Sequence, residues 1–313
     1  MSCPYVAIVL SIHMEAVMQI HREAKPTFTP FELDKGDELI FQRADGSEVT
    51  IELISTSASI IEQGPARHRV DYLQIAAYGF NSVVKINGKE HTLEREVGNQ
   101  NSFHEPLEVE GVRLWLDAVN DIFVHKGGFM KEKDWTFGFV CMPRSKARFV
   151  VQDVNLSICP EPISIWLDIP DNRLDVGNCY NGENCWMGPY HGGLAHCGLD
   201  INMSAGTTLY SPIDFDDNYY FHTLEAGFNN NRWRGIRRWE DGSEWWLQSH
   251  HLEERLVPEH EPLKRGTPYA TAAGVLSGDH EHAHFMFRII EQGGEYFVDP
   301  WLLFQEMFRQ RSA

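Results

Sequence analysis

One stretch in the second half of the chain decides its fold: residues 196–215 read HCGLDINMSAGTTLYSPIDF. Its first five residues place an imidazole, His196, four positions before a carboxylate, Asp200. Gly198 lies between them and further glycines precede them, so a helix is disfavoured at this point. Side chains an even number of positions apart in extended backbone project to the same face. The spacing therefore allows His196 and Asp200 to act together.

A second stretch, HAHFMFRII at residues 282–290, is also typical of extended backbone. Its two histidines, His282 and His284, are two positions apart and therefore share a face. Two imidazoles and one carboxylate are suitable ligands for zinc, and three protein ligands with one open position are the pattern of a catalytic site. Taken alone, the HxxxD spacing is a weak signal and the HxH spacing a moderate one, so the surrounding sequence is needed to interpret them.

The first half of the chain is predicted to be rich in β-strands. Turn residues separate short apolar runs, notably at residues 45–47 and 87–88. The predicted strands are Glu38–Ala44, Glu48–Ile54, Val70–Ala77, Ser82–Ile86, Val109–Val119, Trp135–Cys141 and Ala147–Val151. This spacing favours a β-sandwich or a barrel-like fold. The histidines of this half are scattered and are predicted to be surface or packing residues.

A proline-containing segment, residues 159–162, suggests a connector between two domains. We predict a boundary near residues 155–170, with a β-rich accessory domain of unknown role at 1–160 and a second domain at 161–313. Glycine, asparagine and aspartate are dense over residues 171–198, which predicts a long loop region. The last element is predicted to be an amphipathic helix at Pro300–Arg311.

Charge and hydropathy restrict the possible partners. The chain of 313 residues has 45 acidic against 27 basic residues, a formal charge of −18. Such a surface repels phosphate backbones, so we expect no nucleic-acid partner. The apolar run Tyr5–Ile12 is too short to span a membrane. It is also a poor secretion signal, because no basic residue precedes it and no clear cleavage site follows.

The six cysteines do not form a CxxC pair, which makes a cysteine-only zinc site improbable. Cys179 and Cys185 bracket a loop rich in glycine and asparagine and could close a small disulfide ring. Otherwise buried free thiols are expected, because free cysteine is among the most buried residue types.

A basic cluster stands out in this acidic chain, and it lies close to several tryptophans. It comprises Arg232, Arg234, Arg237 and Arg238, and the tryptophans are Trp233, Trp239, Trp245 and Trp246. The arginines either meet a substrate that carries carboxylates or balance nearby acids. The tryptophans are predicted to pack mostly in the core, with a platform for a sugar or a peptide as the alternative.

The order of motifs from residue 190 to residue 302 resembles the lysostaphin-type or LytM-like zinc endopeptidases, the β-lytic metallopeptidase family. In that family an HxGxD motif is followed by a GT turn, by HL at a strand end, and by HxHF before DP. Here these motifs correspond to residues 196–200, 206–207, 251–252, 282–285 and 299–300. The resemblance implies a C-terminal antiparallel β-sheet zinc peptidase domain, and thus a mainly β chain.

The resemblance also implies residue roles. One Zn²⁺ per chain would be held by His196, Asp200 and His284. His251 and His282 would be catalytic residues that do not bind the metal; they would orient or deprotonate the attacking water and stabilise the developing oxyanion. Imidazole suits this task because its ordinary pKa lies near neutrality.

The chain departs from the family pattern near two of these residues. Cys197 beside a ligand is unusual, and burial is its simplest interpretation. A tyrosine often precedes the HL histidine in the family, but Ser249 and His250 stand there in this sequence. His250 therefore competes with His251 for the catalytic role, although the leucine that follows favours His251.

A competing motif overlaps the same residues. Residues 280–284 read HEHAH and satisfy HExxH, in which a helix brings both outer histidines to zinc and Glu281 acts as the base. This interpretation needs a helix that nearby glycines disfavour, and it leaves His196 and Asp200 without a role.

We therefore expect a zinc-dependent metalloendopeptidase that hydrolyses peptide cross-links of bacterial peptidoglycan, as the resemblance implies. The alternatives are a non-catalytic binding or regulatory module on the same scaffold and a zinc peptidase for a peptide outside the cell wall. The resemblance implies an extracellular or periplasmic location, although the chain shows no clear signal peptide.

Overall fold

Short strands account for most of the regular structure. The computed structural model describes residues 17–63, 75–121, 141–169, 173–179, 184–190, 194–222, 230–273, 281–291 and 294–312. In the first half the strands are β1 Gln19–Glu23, β2 Thr29–Leu33, β3 Glu38–Gln42, β4 Glu48–Gln63, β5 Ile75–Ile86, β6 Lys89–Val97, β7 Leu107–Val109, β8 Val112–Val119 and β9 Ala147–Asp153. In the second half they are β10 Pro189–Tyr190, β11 Leu194–Ala195, β12 Leu199–Asn202, β13 Thr208–Tyr210, β14 Asp217–Phe221, β15 Arg232–Arg238, β16 Glu244–His250, β17 Leu252–Arg255, β18 Pro268–Ala272, β19 His282–Glu291 and β20 Gly294–Val298. Helix α1, Trp301–Ser312, follows β20.

The strands of the first half form two sheets, in the orders β1-β3-β4-β5-β6 and β2-β9-β8-β7. All pairings are antiparallel except that of β1 with β3. The predicted turns join neighbouring strands: Gly46 has φ +82° between β3 and β4, and Asn87 and Gly88 have positive φ between β5 and β6. The prediction of a mainly β chain is confirmed, whereas a sandwich or barrel form of this half stays a prediction.

The predicted strand Val109–Val119 is wrong as a single element. Glu110 and Gly111 have φ +49° and +79° and form a turn between β7 and β8, so the pleat is interrupted where the alternation of apolar residues slips. The predicted strand Ser82–Ile86 is the end of the longer β5. Two other predicted strands, Val70–Ala77 and Trp135–Cys141, fall largely outside the described residues.

In the second half, the sheet that carries the histidines has the order β12-β19-β16-β15-β14, and β20 pairs with β19. A smaller sheet has the order β13-β18-β17. The odd-numbered residues 245–249 of β16 and 283–289 of β19 are buried, among them Trp245, Leu247, Phe285 and Phe287. Because side chains alternate between faces, the even-numbered residues of these strands share the opposite face.

The two halves contact each other through the core. Phe28 packs against Trp245 and Phe287, with ring centroids 5.1 and 5.7 Å apart. Arg95 on β6 forms a buried ion pair with Asp299, just before α1. The predicted connector region is packed as well, since Trp166 is buried and stacks on Phe304. The division into domains at 1–160 and 161–313 stays a prediction.

The terminal helix is confirmed, because α1 spans nearly the predicted residues and buries its apolar side chains. Among the described residues, no helix combines the length and the apolar character needed to cross a membrane.

Candidate metal centre

Pairing of β12 with β19 brings the two sequence motifs together. The strands are antiparallel, and Asp200 lies directly opposite His284. Gly198, just before β12, has φ +157°, and a Cβ atom there would lie 2.3 Å from the carbonyl oxygen of Phe285 and 2.6 Å from Cε1 of His284. Only glycine permits such a close approach of the two segments. The glycine of the first motif thus lets the histidine of the second lie beside Asp200.

Three side chains converge where β12 pairs with β19. The ligand atoms of His196, Asp200 and His284 all lie within 4.8 Å of one another. Asp200 Oδ1 is 3.3 Å from Nε2 of His196 and 2.6 Å from Nδ1 of His284. Donors about 2.0 Å from a tetrahedral zinc ion are about 3.3 Å apart, which is the spacing of Asp200 and His196; the shorter contact of Asp200 with His284 is a hydrogen bond between two candidate ligands. All three residues are buried.

The orientation of His196 is set by a neighbouring loop. Nδ1 of His196 lies 3.3 Å from the carbonyl oxygen of Cys185. A carbonyl can only accept a hydrogen bond, so Nδ1 donates it, and the lone pair of the neutral imidazole is then on Nε2. Such second contacts commonly fix the tautomer of a histidine that binds a metal. The lone pair of His196 is thereby available on the side that faces Asp200.

The charges of the cluster also suit a cation. Burial acts to raise the pKa of Asp200, but His196, His282 and His284 outweigh it and hold this pKa well below its ordinary value. Burial lowers the pKa of His284 to about 4, against the opposing effect of Asp200. An ionised carboxylate beside a neutral imidazole is the state in which both bind a metal.

His282 and His251 lie together at one side of these three residues. Nε2 of His282 is 3.7 Å from Oδ2 of Asp200, and the rings of His282 and His251 are 5.0 Å apart. His251 follows β16 and has φ +62°, a conformation that is uncommon outside glycine and that is found at functional sites. The structure therefore brings all five predicted site residues together.

His250, the competitor of His251, contacts a different residue of the cluster, and the centroids of its ring and the His251 ring are 6.0 Å apart. It is directly opposite His284 in the β16–β19 pairing, with ring centroids 4.6 Å apart. Its Nε2 contacts the amide of Gln248. Burial, followed by His284 and Arg232, lowers its pKa well below the ordinary value. The His250 ring is thus adjacent to the His284 ring, whereas the His251 ring is adjacent to the His282 ring.

The helical HExxH interpretation is wrong for the described part of the motif. β19 is a strand that begins at His282, so His284 cannot project from a helix through residues 280–284. Glu281 precedes the strand, and its carboxylate accepts a hydrogen bond from the backbone N–H of Ala205 at 3.2 Å. Residue 280 lies outside the described residues.

The structure divides the basic cluster that the sequence singled out. Arg237 pairs with Asp216 and Glu161, and Arg238 pairs with Glu244, so these two arginines balance nearby acids. Arg232 and Arg234 line a cavity instead, together with Arg288, a residue that the sequence interpretation missed. Its even spacing from His282 and His284 was the available signal.

The predicted core role holds for Trp233, Trp239 and Trp245, which are buried, whereas Trp246 lines the same cavity. Cys179 and Cys185 are both buried free thiols in the structure. The Cys185 thiol and burial raise the pKa of Cys179, which makes a reactive thiolate unfavourable. Cys197 is buried, as expected.

Comparison with solved structures finds similarities to peptidases, at low sequence identity to this chain. No family model matches the chain, and no curated protein matches it. Among solved structures it is similar to the antimicrobial peptidase lysostaphin from Staphylococcus simulans, with 16% identity, 42% of this chain and 51% of that chain covered, and a TM-score of 0.33. The chain thus spans about half the length of that peptidase.

Two further similarities extend over most of the chain. A putative peptidase M23 from Pseudomonas aeruginosa is 14% identical, with 90% of this chain and 94% of that chain covered and a TM-score of 0.30. A zinc-containing peptidase from Vibrio cholerae is 12% identical, with 80% and 84% covered and a TM-score of 0.31.

Proposed function

We propose that the chain is a zinc-dependent metallopeptidase with one Zn²⁺ per chain. The observation that carries the proposal is the convergence of His196, Asp200 and His284, whose ligand atoms lie within 4.8 Å of one another. Two imidazoles and one carboxylate leave one position open, as catalytic zinc sites require. When bound, zinc would polarise the scissile carbonyl and lower the pKa of water to about 7.

The residues beside the ligands supply the remaining chemistry. His282 and His251 are both buried; Nε2 of His282 lies 3.7 Å from Oδ2 of Asp200, and the His251 ring lies 5.0 Å from the His282 ring. One imidazole would take the proton of the attacking water, and the other would donate a hydrogen bond to the oxygen that becomes negative. Such general acid–base assistance is worth roughly two to four powers of ten in rate.

Peptide cross-links of bacterial peptidoglycan are the substrate that the motif resemblance implies, and we propose hydrolysis of these cross-links as the activity. A binding or regulatory module would not need the two helper histidines, which favours an enzyme. A peptidase for other peptides would retain the same centre and differ only in the substrates that it cleaves.

The proposal is tested first by metal content. Purified protein, dialysed and measured by elemental analysis, should hold about one zinc per chain, and His196→Ala or Asp200→Ala should release it. Full zinc occupancy in both variants would show that the site lies elsewhere. His104→Asn is a matched control. His104 is a half-buried histidine of the first half of the chain, remote in sequence from the motifs, and it forms no part of the cluster.

A second experiment separates the ligand from the catalytic histidine on the same strand. His284→Ala should lose both zinc and hydrolysis of purified peptidoglycan. His282→Ala should keep zinc and lose most hydrolysis, because a proton acceptor or an oxyanion partner is removed. Loss of zinc in His282→Ala with retention in His284→Ala would reverse the two roles. A wild-type chain that holds zinc but cleaves no peptide would favour the binding module.

A further inference from the structure

The face of the sheet that carries the metal centre continues beyond it. In the antiparallel pairings, His284 lies opposite His250, and His250 lies opposite Arg232. The next residues on the same face form two more rows. One row consists of Met286, Gln248 and Arg234, and the other consists of Arg288 and Trp246. Side chains of one face are therefore continuous from the metal ligands to the arginines.

A cavity of about 170 Å³ lies over these rows, and we call it the arginine cavity. Arg232, Arg234 and Arg288 line it, together with Trp246 and Phe297. Aromatic contacts position two of the arginines: the guanidinium carbons of Arg234 and Arg288 lie 4.7 and 4.3 Å from the Trp246 ring centroid. These contacts limit the freedom of both guanidinium groups and so reduce the entropy lost on binding.

Positive charge in the arginine cavity is only partly balanced. Within the described residues, the polar partners of Arg234 are the neutral groups of Gln248 and Tyr219, and no carboxylate forms an ion pair with it. Arg288 pairs with Glu295. Burial lowers the pKa of Arg288, and Arg234 lowers it further, which shows that the two like charges interact. In a chain of charge −18, a concentration of arginines is suited to an anion.

We propose that the arginine cavity binds a carboxylate of the peptide substrate, so that the enzyme selects acidic peptides. This inference rests on the proposed peptidase function. Arginine presents a planar fork that matches a carboxylate in two hydrogen bonds, which a lysine does not. The carboxylate belongs either to an acidic side chain or to the C-terminus of the peptide, and the experiment below distinguishes these sources.

The geometry also gives the position of the acidic group. Arg288 lies four positions after His284 on β19, which corresponds to roughly 13 Å along a strand. An extended peptide lying along this face also advances by about 3.3–3.6 Å per residue. The carboxylate is therefore expected about three to four residues from the scissile bond.

Binding is measured first, because it does not depend on turnover. The capped peptides acetyl-GGGGE-amide and acetyl-GGGGQ-amide are titrated into the zinc-loaded chain and followed by NMR, alongside acetyl-GGGGG with a free carboxylate and its amide. A charged hydrogen bond in a partly buried site favours the acid by roughly tenfold in Kd. Preference for the glutamyl peptide identifies a side chain, and preference for the free acid identifies a C-terminus. Equal Kd values in both pairs would overturn the proposal.

Variants then locate the preference. Arg234→Gln and Arg288→Gln should each reduce the tenfold preference to about twofold or less. Arg238→Gln is the matched control, because Arg238 lies on the same strand as Arg234 but pairs with Glu244 outside the cavity. It should leave the preference unchanged. Thermal unfolding of each variant checks that it folds, and the wild-type comparison of acid with amide needs no variant.

Cleavage of a mixture of capped octapeptides, with glutamate or glutamine at each position, separates the two proposals. Hydrolysis with a rise in KM for the glutamine peptides and little change in kcat would support the carboxylate site. Hydrolysis with no such difference would overturn this site alone. Absence of hydrolysis, together with a preserved preference in the NMR titration, would contradict the peptidase and leave the carboxylate site supported.

Discussion

Substitution of Gly198 by alanine tests how the metal centre is assembled. The added Cβ would lie 2.3 Å from the Phe285 carbonyl oxygen and 2.6 Å from Cε1 of His284. Carbon atoms in favourable contact are about 3.5–4.0 Å apart, so one neighbour must move by roughly 1 Å. The Phe285 carbonyl belongs to β19, which is held between β12 and β16. The backbone at residue 198 is therefore expected to shift away from that carbonyl, and the His284 ring is expected to move with it.

The cost follows from two effects. Overpacking of this kind typically costs about 1–3 kcal/mol. The backbone at φ +157° adds strain of about 1–3 kcal/mol for a residue with a side chain. For a domain of this size, each kcal/mol lowers Tm by roughly 2–4 °C, so we expect a decrease of about 10 °C. A metal site tolerates displacements of only about 0.2 Å, so zinc content should fall well below one per chain.

Gly206→Ala is the matched control. Gly206 also has a positive φ, +80°, but a Cβ there would meet no atom within 4 Å. This variant should show the backbone strain alone, with a Tm decrease of a few degrees and full zinc content. Differential scanning calorimetry and elemental analysis of both variants provide the measurements. If Gly198→Ala matches Gly206→Ala in Tm and keeps its zinc, the steric explanation of the site is refuted.

Two further predictions concern His104, in the first half of the chain, and the predicted domain boundary. Burial, with a contribution from Arg95, lowers the pKa of His104 to about 3 from an ordinary value of 6.5, so the unfolded chain binds the proton more tightly. The neutral His104 ring contributes its full stabilisation above pH 6.5, and this contribution is lost as pH falls toward 3. At pH 5 the free energy of unfolding is lower by at most about 2 kcal/mol. His104→Asn should reduce the fall in Tm between pH 7.5 and pH 5, and an unchanged fall would contradict this origin. Cleavage near residues 155–170 by a low concentration of protease should release a stable C-terminal fragment if the predicted domains are separable. Because Trp166 is buried there, cleavage should follow only after local opening, and an uncut chain that unfolds in one transition would contradict the division.

Local features of the sequence were sufficient for much of the fold. Short apolar runs between turn residues predicted β3 and β9, and Gly46 and Gly88 marked the hairpins, because turns with positive φ select glycine over short distances. The same local reasoning failed between Val109 and Val112. Glu110 takes a positive φ without being glycine, in a turn that is held by the pairing of β7 with β8 and by a hydrogen bond from the Val154 N–H to the Gly111 carbonyl.

Local spacing also identified the residues of the candidate site but could not determine how they meet. His282 and His284 share a strand face by their spacing alone, but a choice between them depends on what lies opposite. The register of β12 against β19 places Asp200, 84 positions away, next to His284. Register is set by the burial of whole faces and by distant turns, so no local pattern contains it.

The basic cluster shows the same division. Four arginines within seven residues were visible as a cluster, and the shared face of Arg232 and Arg234, opposite to that of Arg237, follows from the period of a strand. Whether each one meets an acid or lines a cavity was decided by the strands beside it. Arg288 joins Arg232 and Arg234 only because β19, β16 and β15 are neighbours in one sheet. Residue types and spacing are properties of the sequence, whereas the partners across a sheet depend on long-range pairing that only tertiary structure determines.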